Sequence, residues 1–300
     1  MMPSRLLICA LYFAFLMHPA QAGAFTPNGD IIGEITHYIV EEKDNLYEIA
    51  RRFDIGIVEM LAANPDVDPW LPPADKVLLI TDIHVLPAAP RKGIVINLSE
   101  LRLFYYNKDG KVLSFPIGIG SEGWQTPLGA TKILRKREDP SWLPPPSIRA
   151  ENHDLPELVP PGPDNPLGKF ALYLGFKGIL IHGTNRPYGV GKRSSHGCIR
   201  LYPEDIAVLY AAVKTGTPVT IIDTPFKLGW RGNDLFLEVT PTQSEADLIA
   251  EYRRPEPLRI PEIYDAIRDA ASQNVEIYWF KAAETAARRS GIPIVIGKKY

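Results

Sequence analysis

Cysteine is almost missing from this chain: 300 residues hold two, Cys9 and Cys198. An excess of one charge is missing too, since 33 basic residues face 35 acidic ones and leave a net charge of −2. The two signs are interspersed, which excludes the basic face a nucleic-acid binder needs. No apolar run is long enough to span a bilayer, and no repeat or low-complexity tract occurs apart from one proline-rich stretch. What is present is 45% apolar residues, enough for one large core or two to three smaller ones.

The longest apolar run, Leu6–Met17, follows Arg5 and precedes Ala20-Gln21-Ala22, with small residues at −3 and −1 of a cut before Gly23. Its 12 residues are too few for a membrane span. Residues 1–22 therefore read as a secretory signal peptide, the competing reading being a short membrane anchor. Cys9 lies inside the run, preceded by Ile8 rather than the small residue of a lipoprotein signal. Cleavage would leave Cys198 as the sole thiol, unable to form an intramolecular disulfide and open to oxidation. Such a thiol either bridges to a second copy or is kept for its reactivity. The glycine-rich, histidine-flanked setting favours reactivity.

Residues 23–35 show no clear periodicity and read as a polar leader. His37–Val40 predicts a strand, and Asn45 starts a helix with capping spacing to Glu48 and an apolar stripe of Leu46, Ile49, Ala50 and Phe53. A second helix fits Ile57–Ala63, ended by Asn64-Pro65, and Val77–Ile80 closes the unit as a strand. The βααβ order over 36–80, with Tyr38-x-Val40, Asp44-Asn45-Leu46, Ile49-Ala50, Phe53, Leu61, Asn64-Pro65 and Val77–Ile80, resembles a LysM module. The resemblance implies binding to N-acetylglucosamine-containing glycan strands, above all peptidoglycan. Asp82–Lys92, with Pro87 and Pro90, reads as a linker.

Beyond it the pattern turns to strands. Ile94–Leu98 and Leu101–Tyr106 flank a Ser99-Glu100 turn, followed by Val112–Ile117 and Ala130–Leu134. Residues 139–168 hold nine prolines and read as an ordered lid or a disordered insert; Trp142 and Leu143 favour the lid by giving it something to dock. Phe170–Leu174 and Ile179–Ile181 are further strands. Pro203, Glu204 and Asp205 start one helix with Ile206, Leu209, Tyr210 and Val213 on its apolar face, and Val219–Ile222 follows as a strand. The fold expected for 93–224 is mostly β, with one principal helix. Residues 231–300 read as an α+β appendage, a packing support for the rest.

Chemistry concentrates in 179–201. The apolar run Ile179–Ile181 delivers His182, and 16 residues later Ser195-His196-Gly197 leads into Cys198. Thiol and imidazole form a candidate nucleophile–base pair. His182 is the better base, because it leaves a buried-looking strand. No Asp or Glu lies in 179–203, so a backbone carbonyl near Gly183 is the candidate to orient its ring. The Gly197 and Cys198 N–H groups could form an oxyanion hole, with His196 either shaping it or pinning the loop. Zinc on His182, His196 and Cys198 is the competing reading, without the companion spacing of a zinc motif. Arg200 is either a carboxylate-binding group or a fork bridging carbonyls.

His182-Gly183-Thr184 and Ser195-His196-Gly197-Cys198-Ile199-Arg200-Leu201, with Thr126-Pro127-Leu128-Gly129, Pro160–Gly168 and Ala171-Leu172-Tyr173, resemble the L,D-transpeptidase (YkuD-type) catalytic domain. The layout with a leader and a LysM-like unit resembles Gram-negative periplasmic ErfK/YbiS-like enzymes. The resemblance implies a β-sandwich and a cysteine acyltransferase without cofactor or metal. Cys198 would be the nucleophile, His182 the proton donor and acceptor, and Gly183 the carbonyl orienter. Ser195, His196 and Gly197 would line the oxyanion region. A tetrapeptide stem would be attacked at its third residue, releasing D-alanine. The thioester would pass to another stem's diaminopimelate or to a Braun-type lipoprotein lysine. A hydrolase on the same scaffold and a non-catalytic wall-binding protein are the alternatives.

Overall fold

The structure of the chain, a computed structural model, describes residues 24–256, 259–271 and 274–300. The expected signal peptide, residues 1–22, lies outside the described residues. Among these, no helix is long and apolar enough to cross a membrane.

The principal sheet runs in the order Ala24–Phe25, Val112–Pro116, Arg102–Tyr106, Gly93–Asn97, Pro218–Ile222, Gly129–Glu138, Phe170–Leu174, Leu180–His182 and Ile199–Arg200. Its bend lies in Gly129–Glu138. The first residues of that strand pair antiparallel with Pro218–Ile222, whereas Ile133–Glu138 pair with Phe170–Leu174, and the register shifts between Ile133 and Arg135. A bulge of this kind kinks a strand and increases its twist, so the sheet curls around one core. Ile94, Ile96, Phe115, Ile133, Leu172, Ile181, Ile199 and Ile221 fill that core, with Ile206 and Leu209 from the helix Pro203–Ala212. Burying each such side chain contributes roughly 1.5–3 kcal/mol. The mostly-β expectation with one principal helix is met.

The βααβ unit forms from Thr36–Ile39, Leu46–Arg52, Ile57–Ala63 and Val77–Ile80, with Thr36 opposite Ile80. Asn45 caps its first helix, Oδ1 accepting from the Glu48 N–H at 3.0 Å. Leu46, Ile49, Met60, Leu78 and Ile80 form a core of its own.

Two readings need correction. The leader contributes Ala24–Phe25 to the principal sheet and Ile31–Gly33 to a ladder with Ile83–Val85. The expected linker 82–92 therefore begins as a buried strand rather than a free connection. Each partner is only three residues long and about 50 residues from the other, too short for periodicity to register.

The C-terminal part is a four-stranded sheet ordered Phe226–Arg231, Asp234–Val239, Ile294–Lys299 and Val275–Ile277. The helices Glu262–Ala270 and Trp279–Arg288 supply Ile263, Ile267 and Ala282 to its core of Leu235, Leu237 and Ile296. Its first strand lies ahead of the expected start at 231. Lys227 in that strand is buried in an ion cluster with Glu100 and Glu238.

The βααβ unit docks on the loop that precedes Cys198. Gly191 has φ +76°, and a Cβ there would lie 2.3 Å from the Ile57 nitrogen and 2.4 Å from Gly56 Cα. Its carbonyl accepts from Val58 N–H at 3.2 Å, and Arg51 makes a bidentate pair with Glu204 at 2.7 and 2.9 Å. Replacing Gly191 by alanine combines a left-handed φ with a backbone clash. It should cost about 2–4 kcal/mol and loosen this junction, read as a lower unfolding midpoint with new proteolytic cuts near residues 54–58.

Candidate active site

The strands Leu180–His182 and Ile199–Arg200 run parallel, with His182 opposite Arg200. Strand alternation puts Cys198, two residues before Arg200, on the face that carries His182 and Arg200. The Cys198 side chain is half-buried, and its sulfur donates to the Gly178 carbonyl at 3.5 Å. Burial pushes the thiol above its ordinary pKa, against the opposing effects of a hydrogen bond from the Leu180 backbone and the Arg200 charge. The sulfur is therefore a neutral thiol at rest.

His182 is buried, and its Nδ1 lies 2.5 Å from the Gly183 carbonyl oxygen. A carbonyl only accepts, so Nδ1 carries the proton and Nε2 keeps the lone pair. Burial and then the Arg200 charge push this imidazole down to about 3, against the pull of the Gly183 and Leu167 carbonyls. It is neutral throughout the physiological range. Gly183 leaves room for Ile206, whose Cγ2 would be 3.0 Å from an added Cβ.

The loop between them is held by a few hydrogen bonds. Ser195 is buried and its hydroxyl donates to the Cys198 carbonyl at 2.6 Å. Gly197 has φ +94°, and an added Cβ would stand 3.2 Å from Ile179 Cδ1. Its carbonyl accepts from Thr126 Oγ1 at 3.0 Å, and the same hydroxyl accepts from Gly120 N–H at 3.1 Å. Arg200 donates through Nη1 to the Ser194 carbonyl at 2.9 Å, while its buried Nε has no hydrogen-bond partner. The guanidinium thus serves the loop and still holds an unspent donor.

Residues 139–168 are ordered over this site. They contain the helix Pro146–Glu151 and a bridge between Trp142 and Val159. Their base is clamped by buried Asn165, which donates to the carbonyls of Pro140, Val159 and Pro160 at 2.7, 3.3 and 3.1 Å. Leu143, expected to dock the segment, is 68% exposed. Backbone carbonyls close the base of the insert on itself, and Pro140, Pro144 and Leu167 rather than Leu143 are its buried apolar residues. Next to the clamp, Gly168 has φ +65° and packs where a Cβ would meet Thr184 N at 2.9 Å, beside Gly183.

His196 does not point to His182 for its partner. Its Nε2 lies 3.0 Å from Glu151 Oε2 on the insert, and its ring packs on Trp124 at 4.7 Å between centroids. Thr126, Trp124 and Glu151 escaped the reading of the sequence as site residues. Thr126 was visible within Thr-Pro-Leu-Gly. Glu151 left no signal, being 45 residues from its partner in a segment without periodicity.

A neutral imidazole with a fixed tautomer on the same strand face as a half-buried thiol is the equipment of a thiol-dependent acyl-transfer enzyme. Residues 91–221 match the family model of the L,D-transpeptidase catalytic domain, YkuD. The chain is 39% identical over 290 residues to "Probable L,D-transpeptidase YcfS" of Escherichia coli (strain K12), covering 92% of this chain and 89% of that protein. It is 36% identical over 302 residues to "Probable L,D-transpeptidase ErfK/SrfK" of the same organism, covering 97% and 96%. With the E. coli "Probable L,D-transpeptidase YbiS" it shares 46% over 184 residues, 59% of this chain and 60% of that protein. The chain belongs to the L,D-transpeptidase family.

Proposed function

We propose that Cys198 is the nucleophile of this transpeptidase, with His182 taking its proton and Gly183 orienting the imidazole through its carbonyl. The observation that carries this reading is the 2.5 Å contact of His182 Nδ1 with Gly183 O, which leaves the lone pair of the neutral ring on Nε2. With thiol and imidazole both neutral at rest, the proton leaves sulfur as the substrate carbonyl is attacked, not before. The N–H groups of Gly197 and Cys198 receive the oxyanion, Ser195 holds the loop that carries them, and His196 borders it. Arg200 fixes the Ser194 carbonyl and brings its positive charge to the substrate.

The donor is a peptidoglycan tetrapeptide stem, cut after its third residue with loss of D-alanine. The acceptor is an amine, from a second stem or a lipoprotein lysine. The βααβ unit at 36–80 is a LysM module that holds glycan strands near the catalytic domain at 93–224, and residues 231–300 brace both. The signal peptide at residues 1–22 directs the enzyme to the periplasm. The exchange of one amide for another through a thioester needs no nucleotide, which suits that compartment.

Mass spectrometry of the protein mixed with tetrapeptide stems should find the tripeptide acyl group on Cys198. With stem and lipoprotein peptide offered together, it should then find an amide product. Tripeptide alone would mark a hydrolase, and no adduct would sink the thioester reading.

A further inference from the structure

The amine acceptor arrives as an ammonium ion and must lose a proton before it can attack the thioester. His182 is a poor candidate for that first proton, being buried and needed to return a proton to the departing sulfur. A second imidazole stands at the other end of the same loop. The geometry points to a His196–Glu151 pair as the general base of the acceptor half-reaction, with Glu151 as its positioning residue. This inference rests on the thioester reading of Cys198.

An ionised carboxylate only accepts hydrogen bonds, so the 3.0 Å contact with Glu151 Oε2 places the His196 proton on Nε2 and the lone pair on Nδ1. Trp124, with its ring centroid 4.7 Å from that of His196, restricts the imidazole on another side. The result repeats the device used at His182, one hydrogen bond selecting the tautomer, with a carboxylate in place of a carbonyl. The two histidines differ in access. His182 is sealed in the sheet, whereas the Glu151 side chain is 53% exposed and that of His196 29%, so an acceptor from solvent meets this pair first. The carboxylate also offers an attractive charge to the ammonium. Because Glu151 ends the insert's helix, the base is complete only with the insert seated over the loop.

The step balances. One ammonium proton passes to His196 Nδ1, and the freed nitrogen bonds to the thioester carbonyl carbon as the bond from carbon to Cys198 sulfur breaks. A second proton, lost from nitrogen as the amide forms, goes to the departing sulfur through His182. The third stays on the amide. His196 returns its proton to solvent.

The test is Glu151→Gln in the full protein, which keeps a hydrogen-bonding group on an exposed helix end but removes the charge. The acyl-enzyme is formed with stem tetrapeptide and chased with either an alkylamine, protonated at assay pH, or trifluoroethylamine, largely neutral there. Aminolysis by the alkylamine should fall about tenfold or more, and that by trifluoroethylamine by less than about twofold. Equal losses with both amines would reduce Glu151 to a structural latch and overturn the inference, as would no loss with either. A parent enzyme that never acylates would overturn the thioester reading and this inference with it.

Discussion

Replacing Cys198 by alanine should abolish the acyl-enzyme and lower transpeptidation by on the order of a thousandfold or more, to background. No other group on this strand face can form the covalent intermediate, and a side-chain truncation at a half-buried loop position leaves the fold intact. The unfolding midpoint should stay within a few degrees of the parent's. The pH profile of acylation tests the partner. Burial raises the Cys198 pKa, so the neutral thiol–imidazole pair persists above neutrality and acylation should stay nearly level with pH there. His182, held at about 3, is already neutral and should add no acidic limb between pH 5 and 7. Single-turnover release of D-alanine from the stem across pH 5–9 measures both. An inflection near 6.5 that disappears in His182→Gln would show that its imidazole titrates normally.

The parts legible in the sequence were those encoded locally. Ile57–Ala63 and Val77–Ile80 carry their own periodicity and stop signals, and their bounds in the structure agree with the reading. The stretch 179–201 carries thiol, imidazole and glycines on one loop, so its chemistry could be argued before any fold was seen. What escaped depends on distant partners. Ile31–Gly33 and Ile83–Val85 are strands only because they pair with each other. Glu151 becomes a neighbour of His196 only through the folding of a proline-rich segment whose clamp, Asn165, works by hydrogen bonds to carbonyls. Burial of Lys227 is the sharpest case, since nothing local distinguishes it from a solvated lysine.

Lys227 is also where a substitution should cost most stability. Its ammonium lies 2.6 Å from Glu100 Oε1 and 3.0 Å from Glu238 Oε1, all three groups being buried. His84 Nδ1 adds a contact of 3.2 Å to Glu100, and Arg102 pairs with Glu59 at 3.1 Å. Glu59 comes from the βααβ unit, Glu100 and Arg102 from the principal sheet's first hairpin, and Lys227 and Glu238 from the C-terminal sheet. The cluster thus ties three cores together. His84, Glu100 and Glu238 gather donor atoms within 4.8 Å, as a metal site would, but Lys227 supplies the cation there.

Lys227→Met keeps the length and removes the charge, leaving two buried carboxylates side by side. It should cost about 3–5 kcal/mol, read from denaturant unfolding. Adding Glu238→Gln should recover part of that loss, and a strictly additive double variant would show that the charges do not interact. The cluster also sets a pH dependence. Burial favours neutral Glu100, but Lys227 and His84 outweigh it and hold the carboxyl at about 2. Its stabilising contribution is therefore full above about 4.5 and fades as pH falls toward 2. Burial raises Asp54 to about 6 and Asp82 to about 7, so their ionisation drains stability as pH rises from about 4 to 7. His84 acts in the same direction: burial and Arg102 oppose its charge, but Glu100, Glu238 and Glu59 prevail and raise its pKa, and its contribution is lost as pH climbs past that raised value. The parent should accordingly melt several degrees higher at pH 5.5 than at pH 8, and Asp82→Asn should flatten that difference. A melting point that rises steadily from pH 5.5 to 8 would mean that these buried acids ionise without cost.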